Sequence, residues 1–282
     1  MAEINGFGAL LDNMVERQLR EQVNEGDYKG EDGLLYCGNC HTRKQYVVEN
    51  WHNGNKMIVP VACKCSEEKA KETERLEKID KLRERSNIEK KYLGYKFDSL
   101  EVDNENKRAV KLSRMYVEKF PEHYKESQGL LLYGPVGTGK SVLAHCIATE
   151  LMDRLHSTAS ISLAKILGSG FVNQEEEDKI MRLVNGVELL IVDDLGAERS
   201  NDYAQQFVYS VLDTRCNSGK PMIVTTNLSL NDMQSCADIK FRRIYDRILD
   251  VCYPIELAGV SRRMRNAARR YDKFTQMLEG RD

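Results

Sequence analysis

Apolar residues recur along this chain with three different spacings. Leu10, Leu11, Met14, Val15, Leu19 and Val23 fall at roughly helical intervals and predict a helix over 7–23. Residues 24–33 are rich in turn formers. Over 34–65 the apolar positions shrink to short clusters, and Val47-Val48 and Met57-Ile58-Val59 flank the turn Asn53-Gly54-Asn55 as two short strands. Residues 66–91 are dense in charge of both signs and free of Pro and Gly. Only Leu76, Ile79 and Leu82 interrupt the charge, which predicts an exposed helix connecting two domains. The segment 92–100, with Phe97 and Leu100, begins the larger domain.

From residue 107 the pattern alternates. Helices are expected over 107–120, 142–155, 173–185, 203–217, 239–249 and 261–278, and apolar strands over 129–133, 158–163, 188–193, 221–225 and 251–257. Short apolar strands interleaved with helices predict an α/β fold, a mainly parallel five-stranded sheet covered by helices on both faces. No internal repeat or low-complexity tract interrupts it. The expected organisation is an N-terminal module over 1–65, a charged helical linker over 66–91 and a larger α/β domain over 92–282.

The chain has 282 residues, 41% apolar and 30% charged, with a formal net charge of -2. It is not a generic polycation, so any nucleic-acid contact must come from a local patch. No apolar run approaches the roughly 20 residues that span a bilayer. The first residues lack a basic region followed by an apolar core, so a cytoplasmic location is expected.

The strand at 129–133 leads directly into Gly134-Pro135-Val136-Gly137-Thr138-Gly139-Lys140-Ser141, and Val142 opens the helix-compatible run behind it. The glycines let the backbone curve closely around phosphates, while backbone amides and a helix N-terminus present positive dipole ends. Lys140 can reach the outer phosphates of ATP, and the Ser141 hydroxyl can ligate magnesium. These nine residues, with Phe97 of the entry segment, are the candidate nucleotide-binding set. The run Leu189-Leu190-Ile191-Val192 ends in Asp193-Asp194. By itself that is often only a strand leading into a polar loop. Behind a phosphate-binding loop it places Asp193 to hold magnesium and Asp194 to polarise the attacking water, with Glu198 competing for the second role. Asn227, after Ile223-Val224-Thr225-Thr226, is placed to hydrogen-bond a water near the terminal phosphate, or else caps the next helix.

Four of the eight cysteines cluster as Cys37-x-x-Cys40 and Cys63-x-Cys65, whereas Cys146, Cys216, Cys236 and Cys252 stand singly. Two close pairs on turns can converge into a tetrahedral thiolate set around zinc and hold a segment too small for its own core. His41 and His52 are rival ligands, and disulfides or unmetallated thiols are the alternatives. Trp51 and Tyr46, with Arg43, Lys44 and Lys56 nearby, either stack on single strands or, for Trp51, pack the small core.

From Tyr92 onward the chain resembles the bacterial replicative helicase loaders, the DnaC-like branch of the AAA+ ATPases, and their IstB-like transposition-helper relatives. The matching residues are Gly134 to Ser141, Ile191-Val192-Asp193-Asp194-Leu195-Gly196-Ala197-Glu198, Thr225-Thr226-Asn227-Leu228, Tyr245-Asp246-Arg247-Ile248 and Gly259-Val260-Ser261-Arg262-Arg263. The resemblance implies that Asp193 is the magnesium-associated acid and Asn227 a sensor of the terminal phosphate. It implies that Arg247, with Arg243 as rival, reaches a neighbouring subunit's nucleotide, and that Arg263, with Arg262 as rival, senses nucleotide in its own subunit. Most AAA+ members carry Glu directly after the metal-associated Asp. Asp194 reaches less far, which implies slow or partner-dependent hydrolysis. Little chain follows the last strand, so a reduced or absent lid domain is expected.

The implied activity is an ATPase switch, completed at a subunit interface in a helical or ring-like oligomer, that loads a replicative DNA helicase onto single-stranded DNA. The N-terminal zinc-ribbon-like module would dock the helicase. Residues 165–171 and the arginines of the last helix, Arg262 to Arg270 with Lys273, are candidates for DNA contact. The alternatives are a transposition helper binding duplex DNA and a transposase, or a non-hydrolysing nucleotide-dependent adaptor.

Overall fold

The computed structural model describes residues 23–49, 54–168, 173–196 and 202–278. The helix expected over 7–23 falls outside them except for Val23, as do Trp51, His52 and Glu198. The chain divides into two compact units, one ending at Glu77 and the other beginning at Lys78.

The first unit is built from two small antiparallel pairs. Strand β1 (Tyr28–Lys29) pairs with β2 (Leu35–Tyr36), and β3 (Gln45–Glu49) with β4 (Lys56–Pro60). Val47 sits opposite Ile58 and Val48 opposite Met57, so the expected strands meet as a hairpin. Helix α1 (Lys64–Arg85) follows and crosses the division between the units. Among the described residues of this unit, only Leu34, Leu35, Cys37 and Cys63 are buried apolar side chains.

In the second unit, α2 (Lys90–Leu93) and a 3-10 turn (Phe97–Ser99) precede α3 (Lys107–Glu118). The helix expected over 107–120 breaks at Lys119, and α4 (Phe120–Lys125) restarts with Pro121 in its first turn. Proline lacks the amide a continuing helix needs but suits a helix start. Then β5 (Gly129–Tyr133), α5 (Lys140–Asp153), β6 (Thr158–Ser162), α6 (Leu163–Gly168), α7 (Gln174–Gly186) and β7 (Leu189–Leu195) alternate. They are followed by α8 (Asp202–Asn217), β8 (Met222–Thr226), α9 (Leu230–Gln234), α10 (Ile239–Val251), β9 (Cys252–Glu256) and α11 (Arg262–Leu278).

The five strands form one sheet in the order β6-β7-β8-β5-β9, and every neighbouring pair is parallel. Successive side chains point to opposite faces, and both faces are covered. Leu131, Leu190, Val192 and Val224 pack against α6, α7, α8 and α10. Leu130, Leu132, Leu189, Ile191 and Ile223 pack against α3 and α5. This two-sided burial is why the strands read as continuous apolar runs rather than alternating ones. Among the described residues only α11 follows the last strand, and none of its described side chains is buried.

Candidate functional site

The carboxyl ends of β5, β7 and β8 open onto one cavity of about 770 Å³. The loop between β5 and α5 forms one wall, and its glycines are there for steric reasons. Gly134, Gly137 and Gly139 have φ of 136°, 83° and 102°. A Cβ on Gly134 would sit 2.3 Å from the Leu257 carbonyl oxygen, and one on Gly137 would sit 2.1 Å from Ser261 Oγ. Gly139 caps α5 in the left-handed conformation, so the first amides of that helix face the cavity.

Val136 through Val142 line this cavity. Gly134 and Pro135 contribute their carbonyl oxygens, which accept from Lys140 Nζ at 2.8 Å each. The same ammonium donates to Asn227 Oδ1 at 2.8 Å. Burial holds the Lys140 pKa below its ordinary value, against the pull of Asp194 and Asp193. Three neutral acceptors therefore hold a desolvated cation, and an anionic phosphate oxygen is a stronger acceptor than any of them.

Strand β7 runs two residues beyond the expected end, because a register shift between Val192 and Leu195 lets it pair with β8 again at Thr226. Within that bulge Asp194 takes φ 57°, a left-handed conformation that aspartate tolerates better than most residues. The two carboxylates consequently part company. Asp193 is 7% exposed and accepts the Thr225 hydroxyl at 2.7 Å. Asp194 lines the cavity with Lys140, Ser141 and Asn227. Burial, then the neighbouring Asp193 charge, raises the Asp194 pKa, while Lys140, Arg263 and Lys165 oppose the rise.

The arginine pairs are also separated. Arg262 and Arg263 both line the cavity. Arg262 is committed to Asp103 at 2.7 Å and to the Glu101 carbonyl at 2.8 Å, whereas Arg263 forms no ion pair among the described residues. Neither Arg243 nor Arg247 lines the cavity. Both are exposed on α10, and Arg247 is ion-paired with Asp213 of α8.

The cavity is also lined by Leu100 of the entry segment and by three residues the sequence pattern did not single out: Tyr92, Tyr95 and Val110. Phe97 is not among them. At 1% exposure it belongs to the core beneath, with the Arg114 guanidinium over its ring. An aromatic residue in the entry segment was the available signal, but the turn at Phe97–Ser99 points that ring inward. Tyr92 instead lies flat on the His145 imidazole, with centroids 4.1 Å apart. His145 in turn meets the Ser141 carbonyl at 2.6 Å and Ser160 Oγ at 3.1 Å.

In the first unit Cys37, Cys40, Cys63 and Cys65 bring their sulfurs within 4.8 Å of one another. Cys63 and Cys65 are 3.3 Å apart, and Cys37 and Cys65 are 3.6 Å apart. Four thiolates about 2.3 Å from a tetrahedral zinc would stand roughly 3.8 Å apart, so the donor set fits that ion. Cys40 is lowered to about 5 by the Thr42 hydroxyl and nearby backbone amides, and Cys65 is raised to about 12 by its cysteine neighbours. Thiols this close cannot all ionise without a cation among them.

His41 is not in the set; its ring contacts Tyr28. Lys44, grouped above with possible strand-contacting residues, is instead buried at 5% exposure in an ion pair with Asp27 at 2.6 Å. Asp27 also accepts the Gly38 amide, so this pair braces the first cysteine turn. Arg43 is exposed over the Tyr36 and Tyr46 rings and pairs with Asp32.

No described helix is long and apolar enough to cross a membrane. Comparison with known proteins agrees with the cavity's geometry. Residues 66–270 match the family of IstB-like ATP binding proteins. The chain is 24% identical to the replicative helicase loader DnaI of Bacillus subtilis, a match covering 89% of this chain and 84% of that protein. It is 27% identical to the replicative helicase loader DnaC of Escherichia coli K12, over 61% of this chain and 69% of that protein. A crystal structure of DnaI superposes with a TM-score of 0.53 at 23% identity, over 61% of this chain and 96% of that one, which shows the fold. The chain thus belongs to the IstB-like ATP-binding family, as a DnaC- and DnaI-like AAA+ ATPase with an N-terminal four-cysteine cluster suited to zinc.

Proposed function

We propose that this chain is an ATP-driven loader that binds a replicative DNA helicase and helps place it on single-stranded DNA. One observation carries the reading. The match with Bacillus subtilis DnaI covers more of the chain than residues 66–282 contain, so it extends beyond the ATPase body into the cysteine module. A match to a helicase loader that reaches into the cysteine module supports the same partner class here. A cytoplasmic site of action goes with this reading.

The chemistry follows from the cavity. Lys140, released from the Gly134 and Pro135 carbonyls and from Asn227, holds the outer phosphates. Ser141 and Asp193 would hold magnesium, which would supply charge neutralisation on the phosphate oxygens. Asp194 and Asn227 orient the attacking water. Glu198 remains the rival of Asp194. Arg263 faces the cavity from α11 and senses the terminal phosphate. Arg247 acts in trans, with Arg243 as its rival, so an isolated subunit hydrolyses ATP weakly and a helical or ring-like oligomer completes the site. Cys37, Cys40, Cys63 and Cys65 would hold a structural zinc.

Co-purification from the native cell, with and without ATP, tests the partner. Recovery of a replicative helicase supports the loader. Recovery of a transposase without helicase overturns it in favour of a transposition helper. Multiple-turnover hydrolysis that Lys140→Ala abolishes removes the non-hydrolysing adaptor. Hydrolysis per subunit should also rise with protein concentration, and Arg247→Ala should flatten that rise.

A further inference from the structure

The arginines of α11 meet an acidic loop that is remote from them in sequence. Arg262, Arg265 and Arg269 share one face of the helix. Arg262 pairs with Asp103 at 2.7 Å, Arg265 with Asp103 at 3.1 Å and with Glu105 at 2.9 Å, and Arg269 with Glu101 at 3.1 Å. The adjoining residues Arg263 and Asn266 face the cavity. Which face of α11 turns to the nucleotide is therefore tied to which face turns to this loop.

Asp103 is the hub of the contact. Its Oδ1 accepts the amides of Glu105 at 3.0 Å and Asn106 at 3.1 Å, which folds the loop into a turn. Its Oδ2 takes both arginines. Asn106 returns the bond by accepting the Asp103 amide at 2.9 Å, and donates to the Glu101 carbonyl at 3.0 Å. That carbonyl also receives Arg262. Glu101 and Asn106 line the cavity, so the loop is a wall of the site as well as an anchor. The start of α11 is pinned a second time, where the Arg262 amide donates to the Gly137 carbonyl of the phosphate-binding loop at 2.9 Å. The chain entering α11 passes close to the same loop, since a Cβ on Gly259 would lie 2.3 Å from Glu105 Oε2.

We propose that Asp103 is a positioning residue for nucleotide sensing: by holding Arg262 and Arg265 it fixes the rotation of α11 that presents Arg263 to the terminal phosphate. This rests on the nucleotide reading above and deepens it. Asp103 does not touch the nucleotide; it acts through α11. Two arginines on one carboxylate, together with a turn built on its other oxygen, make an anchor rather than a passing surface pair. A lone exposed ion pair would contribute little.

The test is equilibrium binding of ATP and of ADP, each with magnesium, to the full chain. Asp103→Asn keeps an oxygen for the turn amides and removes the charge that holds the arginines. It should weaken ATP roughly tenfold and ADP much less, because a charged hydrogen bond to the terminal phosphate is lost. Asp103→Glu, which restores the charge, should recover part of the difference. Arg265→Gln should shift the ATP-to-ADP ratio in the same direction by a smaller factor, and it leaves the turn intact should the Asp103 variant fold poorly.

The deciding arm is the double variant. If Asp103 works through Arg263, then Asp103→Asn in an Arg263→Ala background should cost no further ATP affinity. Losses that multiply would overturn the proposal, as would an Arg263→Ala variant that binds ATP normally while Asp103→Asn does not. Lys140→Ala separates this failure from that of the underlying reading. Wild-type ATP binding by Lys140→Ala would refute the nucleotide site itself, and the positioning role with it.

Discussion

The described strands of the two units differ sharply in how deeply they are buried. In the ATPase body, Leu131, Leu132, Leu190, Ile191, Ile223 and Val224 are all at 0% exposure. In the cysteine module, the hairpin residues Val47, Val48, Met57 and Ile58 are 42–50% exposed. A two-stranded hairpin with both faces open is marginal in water. Among the described residues apolar burial accounts for the body but not for the module, whose four converging sulfurs are suited to hold a metal instead.

Metal removal is the most severe way to break this comparison. Chelation, or Cys63→Ser, should unfold the module up to the start of α1 while the body keeps its thermal transition. Structural zinc contributes on the order of 10 kcal/mol to such small modules. Zinc content by elemental analysis and hydrogen exchange across residues 23–62 would check it. A body transition that collapses together with zinc loss would contradict the division.

The next largest effect belongs to a polar residue inside the body. Arg215 is fully buried, and its guanidinium donates to the carbonyls of Val184, Val187, Glu188 and Pro221 at 2.6–3.0 Å. It gathers the end of α7 and the entries of β7 and β8. Burial lowers its pKa to about 10, which leaves it charged at neutral pH. Arg215→Leu takes the guanidinium from four carbonyls, of which Pro221 keeps the Leu190 amide, and should cost about 3–5 kcal/mol. Leu131→Ala, at the centre of the sheet, should cost about 3 kcal/mol through the cavity it leaves. Denaturant melts measure both, and neither variant should change the zinc content.

The same contrast explains what was legible in the sequence. Cysteine spacing announced the module's sulfur cluster because Cys37-x-x-Cys40 and Cys63-x-Cys65 are local features. The parallel sheet was legible because two-sided burial makes β5, β7 and β8 uniformly apolar. The phosphate-binding loop was legible because its glycines, Lys140 and Ser141 form one contiguous motif, even though the residues that crowd Gly134 and Gly137 are the distant Leu257 and Ser261. The aromatic part of the cavity's lining was not. Tyr92, Tyr95 and Val110 reach it through the packing of α2 and α3, while Phe97, the plausible aromatic, turns into the core. The strand order and the pairing of Arg262 with Asp103 are long-range outcomes that no periodicity carries. The bulge that separates Asp193 from Asp194 was hidden for a different reason: the apolar run breaks after Val192, and the strand continues through the Thr225 and Thr226 hydroxyls and the pairing of Leu195 with Thr226.

That bulge gives the smallest predicted effect and sharpens the comparison within the body itself. Its sheet gains stability from almost every residue, but Asp194 costs it some. Burial, and then the Asp193 charge, raise the Asp194 pKa above its ordinary 3.8. The folded chain therefore binds this proton more tightly than the unfolded chain does. By linkage, the folded state loses stability as pH rises from the ordinary carboxylate range through the raised value, and the loss persists at neutral pH. Asn at this position cannot ionise, and it accepts the left-handed backbone at φ 57° as readily as Asp. Asp194→Asn should therefore melt slightly above wild type at about pH 7, and the two curves should converge as pH falls below the ordinary carboxylate value. Hydrolysis should fall in the same variant, as expected where a group is kept for its chemistry at some cost in stability. A constant melting offset across the whole pH range would assign the difference to backbone strain instead of charge. The carboxylate would then be as well accommodated as the leucines and valines behind it.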